Sequence, residues 1–343
     1  MQALVTGGKG FIGSHLAETL LNLGHKVLVL DNIGVSERNI KHLIKRETIN
    51  NFDYLSCDIR KAGARAMVAN LIKNCKIDTV FHLAGLADIV PSIQNPTEYF
   101  ATNVMGTLNM LEAAREYGKL QKFVYTSSSS IYGIPEFFEI PTSEEIPIKP
   151  QYPYAETKYQ GERWVSHYGQ IYKLPVISLR LFNVYGPRSR TTGTYGAVFG
   201  TFLAQKINGK PFTVVGDGKQ SRDFTFVTDV CDAFIRAANS KISGEVFNVG
   251  SGKPQTILRL VELLGGDILH IPKRPGEPDK TCADILKIKN ALGWTPKVSF
   301  EEGVKIMLDN IDYWKNAPVW TPDSIGEATK GWFEFLGLEK GGN

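Results

Sequence analysis

Short apolar runs recur through the first half of the chain, each followed by a turn-forming cluster and then by a longer stretch with apolar residues three and four apart. Ala3 to Val5, Lys26 to Leu30, Phe52 to Leu55, Thr79 to Leu83, Phe123 to Thr126 and Pro175 to Leu181 read as strands. Phe11 to Leu23, Lys61 to Asn74, the stretch opened by Asn103, and Tyr154 to about Tyr172 carry helical spacing. Such alternation predicts an α/β fold, a parallel sheet flanked by helices. Residues 32–51 read as a loop with a short helix, and the proline- and acid-rich residues 134–153 as a loop over a cleft.

Past Arg188 the alternation loosens into a glycine-rich stretch, Gly193 to Gly200. Helices are predicted at Thr201 to Ile207, Val230 to Ala238, Leu258 to Leu264, Asp284 to Leu292 and Phe300 to Trp314. Phe212 to Val215 and Glu245 to Val249 read as short strands, and His270 to Pro275 as an extended piece. Trp314, Trp320, Trp332, Phe333 and Phe335 predict an aromatic-anchored helix at the C-terminus. The expected organisation is a nucleotide-binding domain over residues 1–180 and a smaller mixed α/β substrate-binding lobe over 181–343. Segments near 223–250 are expected to return to the first domain.

The first strand breaks into Gly7, Gly10 and Gly13 before a helix that Phe11 and Ile12 open. A strand, a glycine turn and a helix make a dinucleotide-binding unit of Rossmann type: the first glycine turns tightly, the second admits a pyrophosphate, the third packs helix on strand. The helix N-terminus offers free N–H groups to the phosphates. The second strand ends in Asp31, 18 residues after Gly13, followed by Asn32. An acid there suits a ribose 2′-hydroxyl and repels a 2′-phosphate, which favours NAD over NADP. Asp58-Ile59 could meet adenine, or Asp58 could cap the following helix. Leu83-Ala84 and the small residues after them would let backbone run close to a flat cofactor.

Composition narrows the class. The 343 residues are 43% hydrophobic and 22% charged, with a formal charge of +4, ordinary for a soluble enzyme of this size. No dense basic arm argues for nucleic acid, and no apolar run approaches the ~20 residues that span a membrane. A cytoplasmic protein is the expectation. Cys57, Cys75, Cys231 and Cys282 form no Cys-x-x-Cys pair, and the six histidines show no metal-ligand spacing. His82, at a strand end, could line the cofactor cleft or be satisfied by local hydrogen bonds.

Ser127 to Ser130 stand at the C-terminal end of a strand, where open α/β sheets bind ligands. Tyr154 and Lys158 follow, four apart and therefore on one helix face. A tyrosine is a poor base at pH 7, but a nearby ammonium would favour its phenolate and lower its pKa. With a serine to relay the proton and NAD to take hydride, this set can oxidise an alcohol.

These residues resemble the extended short-chain dehydrogenase/reductase family. The likeness rests on Thr6-Gly-Gly-Lys-Gly-Phe-Ile-Gly13, Asp58-Ile59, Leu83-Ala84, Asn103, Ser127-Ser-Ser-Ser-Ile-Tyr-Gly133 and Tyr154-x-x-x-Lys158. Within the family the chain is similar to nucleotide-sugar 4-epimerases, with motifs around Asn183, Arg188, Arg222 and Arg274 extending the match into the second half. The resemblance implies a catalytic set of Ser128, Tyr154 and Lys158, a cofactor contact for Asn103, and a substrate contact for Asn183 and Arg188. It implies that Arg222 and Arg274 grip the diphosphate of a UDP-linked sugar, although either arginine could instead be internally paired. Thr281 would border the sugar C2 substituent, leaving room for N-acetyl. A homodimer through the helices at 103–116 and 156–172 is implied as well. The dehydratases of this family carry an aspartate–glutamate pair where Ser129 and Ser130 stand, so dehydration is not expected. Decarboxylation of a nucleotide uronic acid, epimerisation at another carbon, and a non-catalytic NAD-binding protein are the alternatives.

Overall fold

The computed structural model describes residues 1–32, 34–44, 50–134, 140–189 and 198–337. Its strands are β1 Gln2–Thr6, β2 Lys26–Asp31, β3 Phe52–Ser56, β4 Thr79–His82, β5 Lys122–Ser128, β6 Val176–Leu181, β7 Asn183–Tyr185, β8 Phe212–Val215, β9 Ser221–Arg222, β10 Phe224–Phe226, β11 Glu245–Val249, β12 Gln255–Thr256 and β13 Ile268–Ile271. Seven of them form one sheet in the order β3-β2-β1-β4-β5-β6-β11. Every neighbouring pair in it is parallel. This is the Rossmann-type sheet that the alternation predicts, and the strand order reverses between β1 and β4. A crevice opens there at the strands' C-terminal ends.

Side chains that alternate along each strand enter opposite layers. Ala3 and Val5 join a core with Leu16, Leu20 and Phe234, beneath the helices Phe11–Asn22 and Val227–Asn239. Leu4 joins the other core with Ile72, Leu111 and Val165, beneath Ala64–Asn74, Gly106–Tyr117 and Pro153–Tyr172. Burial on both faces explains why the strands read as continuous apolar runs.

The later chain forms a smaller α/β lobe with three two-stranded pieces, β7 with β10, β9 with β12, and β8 with β13. Its Phe212, Trp294 and Trp314 belong to the same core as Ala3 and Val5, so the apolar interior runs without a break from sheet to lobe. β11, in the 223–250 stretch, pairs with β6 at the sheet edge.

Several boundaries move. The helix expected from Lys61 begins at Ala64, after Gly63 at the N-cap. The helix expected over 300–314 ends at Asp309 and gives way to a 3₁₀ turn, Ile311–Trp314. The extended piece expected from His270 is β13, which stops at Ile271. Asn103 does not open its helix but lies inside a continuous helical run, in the π-helical turn Ala101–Met105. Residues 45–49, 135–139 and 193–197, within the two predicted loops and the glycine-rich stretch, lie outside the described residues. Among those described, no helix is long and apolar enough to cross a membrane.

Candidate active site

Gly7 leaves β1 with φ +71°, a conformation that L side chains rarely adopt. A Cβ there would lie 2.7 Å from the Ala84 nitrogen, so the turn fits only against the backbone after β4. A Cβ on Gly13 would lie 2.8 Å from the Gly8 Cα. Gly10 caps the first helix without a side-chain bond, leaving the first-turn N–H groups without acceptors inside the helix. Gly7, Gly10, Phe11, Ile12 and Gly13 border a cavity of about 720 Å³. Asp31, Asn32, Asp58, Ile59, Leu83, Ala84, Ser128, Tyr154 and Lys158 line the same cavity. A glycine floor beneath a helix N-terminus, continuing to a carboxylate at one end and to Tyr154 at the other, fits a dinucleotide.

The Asp31 carboxylate accepts from the Lys9 and Asn32 N–H groups, each at 2.8 Å. Burial raises its pKa, and those two hydrogen bonds oppose the rise. Asp58 is held by Arg60 through Nε at 2.9 Å and Nη2 at 2.7 Å, which keeps its carboxyl below the usual range. Asp58 does not cap the next helix, because Gly63 occupies that position. Arg60 also lines the cavity and escaped sequence reasoning; its position directly after Asp58-Ile59 was the available signal.

Asn103 does not line the cavity. Its Oδ1 accepts from the Leu86 N–H at 2.8 Å, and its Nδ2 donates to the Leu86 carbonyl and to Thr157 Oγ1, both at 3.0 Å. Thr157 in turn donates to the Tyr154 carbonyl at 2.9 Å. These bonds clamp the loop after β4 to the Tyr154 helix.

Ser128 ends β5, and its Oγ lies 2.8 Å from Ser130 Oγ. Burial raises the pKa of the Tyr154 phenol, and the neighbouring Ser128 and Ser130 hydroxyls oppose the rise without reversing it. The expected lowering is thus not supplied by the chain's own groups. Lys158, 6% exposed, sits with Nζ 4.5 Å from the Tyr125 ring centroid. Burial pulls its pKa down to about 7, against the charge of Glu162. His82 is fully satisfied by hydroxyls, with Thr6 at 2.7 Å and Thr107 at 3.0 Å. Burial holds it neutral, with a pKa of about 3, which decides between its two readings.

A second cavity of about 490 Å³ meets the first along Ser129, Ser130, Tyr152, Phe182 and Asn183. The Tyr152 ring, absent from the sequence reading, lies nearly parallel to Tyr154 at 6.4 Å. Arg222, Arg274 and Thr281 line this second space. Arg222 Nη2 donates to Glu277 at 2.7 Å, and Arg274 lies 3.9 Å from the same carboxylate, so both arginines are internally paired. Thr281 accepts from the Asp223 N–H at 3.1 Å and donates to Asn183 at 3.3 Å. Arg188 lines neither cavity: its backbone turns to φ +64° and its guanidinium pairs with Glu18 on the first helix. The substrate contact expected of Arg188 is therefore not among the groups that these two cavities bring together.

A family profile described as GDP-mannose 4,6 dehydratase matches residues 4–307. The UDP-glucose 4-epimerase of Mycolicibacterium smegmatis is 36% identical over 312 residues, which cover 89% of this chain and 96% of that protein. The solved UDP-glucose 4-epimerase of Thermotoga maritima, with UDP-glucose, is similar at a TM-score of 0.82 and 33% identity, covering 92% of this chain and 99% of that one. The UDP-glucuronic acid 4-epimerase of Bacillus cereus, in complex with UDP-glucuronic acid and NAD, has a TM-score of 0.81 and 34% identity, covering 91% and 99%. A match over most of the chain, joined to a glycine turn, a serine strand end and a tyrosine–lysine pair around one cavity, places the protein: it belongs to this nucleotide-sugar enzyme family, within the extended short-chain dehydrogenases/reductases.

Proposed function

We propose that the chain is an NAD-dependent 4-epimerase of nucleoside-diphosphate sugars, acting on UDP-hexoses or UDP-N-acetylhexosamines through a transient 4-keto sugar. The observation that carries the reading is that Ser128, Ser130, Tyr154 and Lys158 share one wall of the glycine-floored cavity, beside its seam with the second. The solved relatives that carry NAD and UDP-sugars support both ligands.

NAD, held over the glycine turn at residues 7–13 with Asp31 at its adenosine end, would supply the group that accepts and returns a hydride at the sugar carbon. Every other step falls to side chains. Tyr154 takes the proton of the C4 hydroxyl, and Ser128 both accepts and donates, holding that oxygen in line. Lys158, buried one helical turn away, holds a ribose hydroxyl. Arg222 and Arg274 reach the diphosphate, and Glu277 keeps both guanidinium groups preorganised. Ser129 and Ser130 supply no carboxyl to expel water from the sugar, which favours epimerisation over the dehydration named in the family's description. Exposed Phe100, Met105, Trp164, Ile171 and Tyr172, on or beside the helices 106–117 and 153–172, suit a homodimer surface.

The test is the purified protein with UDP-glucose, UDP-N-acetylglucosamine and UDP-glucuronate, followed by product analysis and extraction of bound dinucleotide. C4 epimers without NADH build-up are expected, and Tyr154→Phe is expected to keep NAD but lose turnover about 10²–10⁴-fold. Carbon dioxide release from UDP-glucuronate would replace the reading with decarboxylation. Absence of both bound NAD and epimerised product would end it.

A further inference from the structure

The family profile stops at residue 307, yet a helix beyond it, Pro322–Leu336, reaches the substrate cavity through Thr329 and Trp332. The helix is locally well specified. Pro322 follows Thr321, whose Oγ1 accepts from the Ser324 N–H at 3.3 Å while Ser324 Oγ accepts from the Thr321 N–H at 2.9 Å. That reciprocal cap starts the helix at a fixed point. Ile325, Thr329 and Trp332, spaced four and three apart, are its buried residues, and this face packs toward the short helix Ile89–Gln94 beside the cavity.

Trp332 is attached to the substrate-binding segment in two ways. Its indole N–H donates to the Pro275 carbonyl at 2.6 Å. Its ring lies 5.6 Å from the Arg274 guanidinium, near enough for a cation–π attraction. Arg274 and Arg222 meet at Glu277, so backbone and side chain of the 274–277 segment are pinned on one side by Trp332 and on the other by Arg222. The ring is 6% exposed, which marks it as part of the wall and not as a loose lid.

We propose that Trp332 is a positioning residue for the nucleoside diphosphate: it orients Arg274 toward the diphosphate and closes the cavity with a wall that the matched family segment does not include. The inference rests on the nucleotide-sugar reading above. A long guanidinium side chain loses rotamer freedom when it binds an anion. An aromatic face that already holds it in place removes part of that cost.

The experiment measures UDP binding by calorimetry, and KM and kcat with the sugar that the parent turns over, in the parent, Trp332→Ala, Trp332→Phe, Arg274→Ala and the Trp332→Ala/Arg274→Ala double variant. Loss of the ring contact and its hydrogen bond is expected to weaken UDP binding and raise KM about tenfold, with a smaller change in kcat and unchanged bound NAD. Trp332→Phe keeps the ring and is expected to recover part of the affinity; it also carries the test if Trp332→Ala does not fold. In the Arg274→Ala background, removing Trp332 is expected to change binding less than twofold, since the two act as a unit. Equal UDP affinity in the parent and both Trp332 variants, or a tenfold loss that persists without Arg274, would overturn the inference alone. A parent that does not bind UDP would overturn the nucleotide-sugar reading and this inference with it.

Discussion

Replacing Asn103 with alanine separates a ligand from a clamp. The side chain is 1% exposed, and its amide makes three hydrogen bonds of 2.8, 3.0 and 3.0 Å, two with Leu86 and one with Thr157. At about 1 kcal/mol net for each bond, the substitution removes about 3 kcal/mol. The Leu86 amide, partly buried, is then left without this acceptor, which works in the same direction. At about 2 °C per kcal/mol, the lower end for larger domains, the melting temperature falls by about 6 °C. Function suffers second-hand, because the released loop carries Ala84 to Ala87 along the cofactor cavity. Thermal unfolding of the parent and Asn103→Ala, each with its bound dinucleotide measured, decides the matter. A melting temperature within about 1 °C of the parent together with a large loss of NAD affinity would refute the clamp and favour a direct cofactor contact.

Lys158 makes stability depend on pH. Its folded pKa, pulled down to about 7, lies below the ordinary lysine value of 10.5, so between those values the unfolded chain binds the extra proton and stability rises with pH. Denaturant titrations are expected to show the parent gaining on Lys158→Met across that window and holding level below it; parallel curves would contradict the buried, weakly basic lysine. Thr281→Tyr fills space next to Asn183 and is expected to abolish turnover of the N-acetylated sugar selectively. Equal loss of the plain and acetylated activities would defeat that placement. Trp164→Glu puts a charge on the exposed face of the helix 153–172, and sedimentation is expected to show a dimer in the parent and a monomer in the variant. A parent that sediments as a monomer would remove the homodimer.

Local pattern was enough for much of the architecture. The apolar runs and the helical spacing located all seven strands of the main sheet, because strands buried on both faces and helices with one buried face leave different periods in the chain. The glycine turn was legible for a related reason: Gly7 and Gly13 stand where backbone meets backbone, and no other residue fits. The serine run at a strand end and the shared helix face of Tyr154 and Lys158 were legible from short-range spacing, while the choice of Ser128 came from the family resemblance.

What the sequence could not settle depended on partners far along the chain. Asn103 is read as a polar residue of a helix, but its bonds run to residues 17 before and 54 after it. Arg188 and Arg274 are both arginines in matching motifs; only the folded chain turns one to Glu18 and stacks the other near Trp332. Tyr154 and Lys158 followed from spacing, while their pKa shifts followed from burial, which acts on the charged form and exists only once the surrounding layers have closed. The sequence by itself determined which elements form and which chemical groups they carry. Tertiary structure decided which of those groups meet and which stay charged, because long-range pairing and desolvation depend on distances that no local pattern encodes.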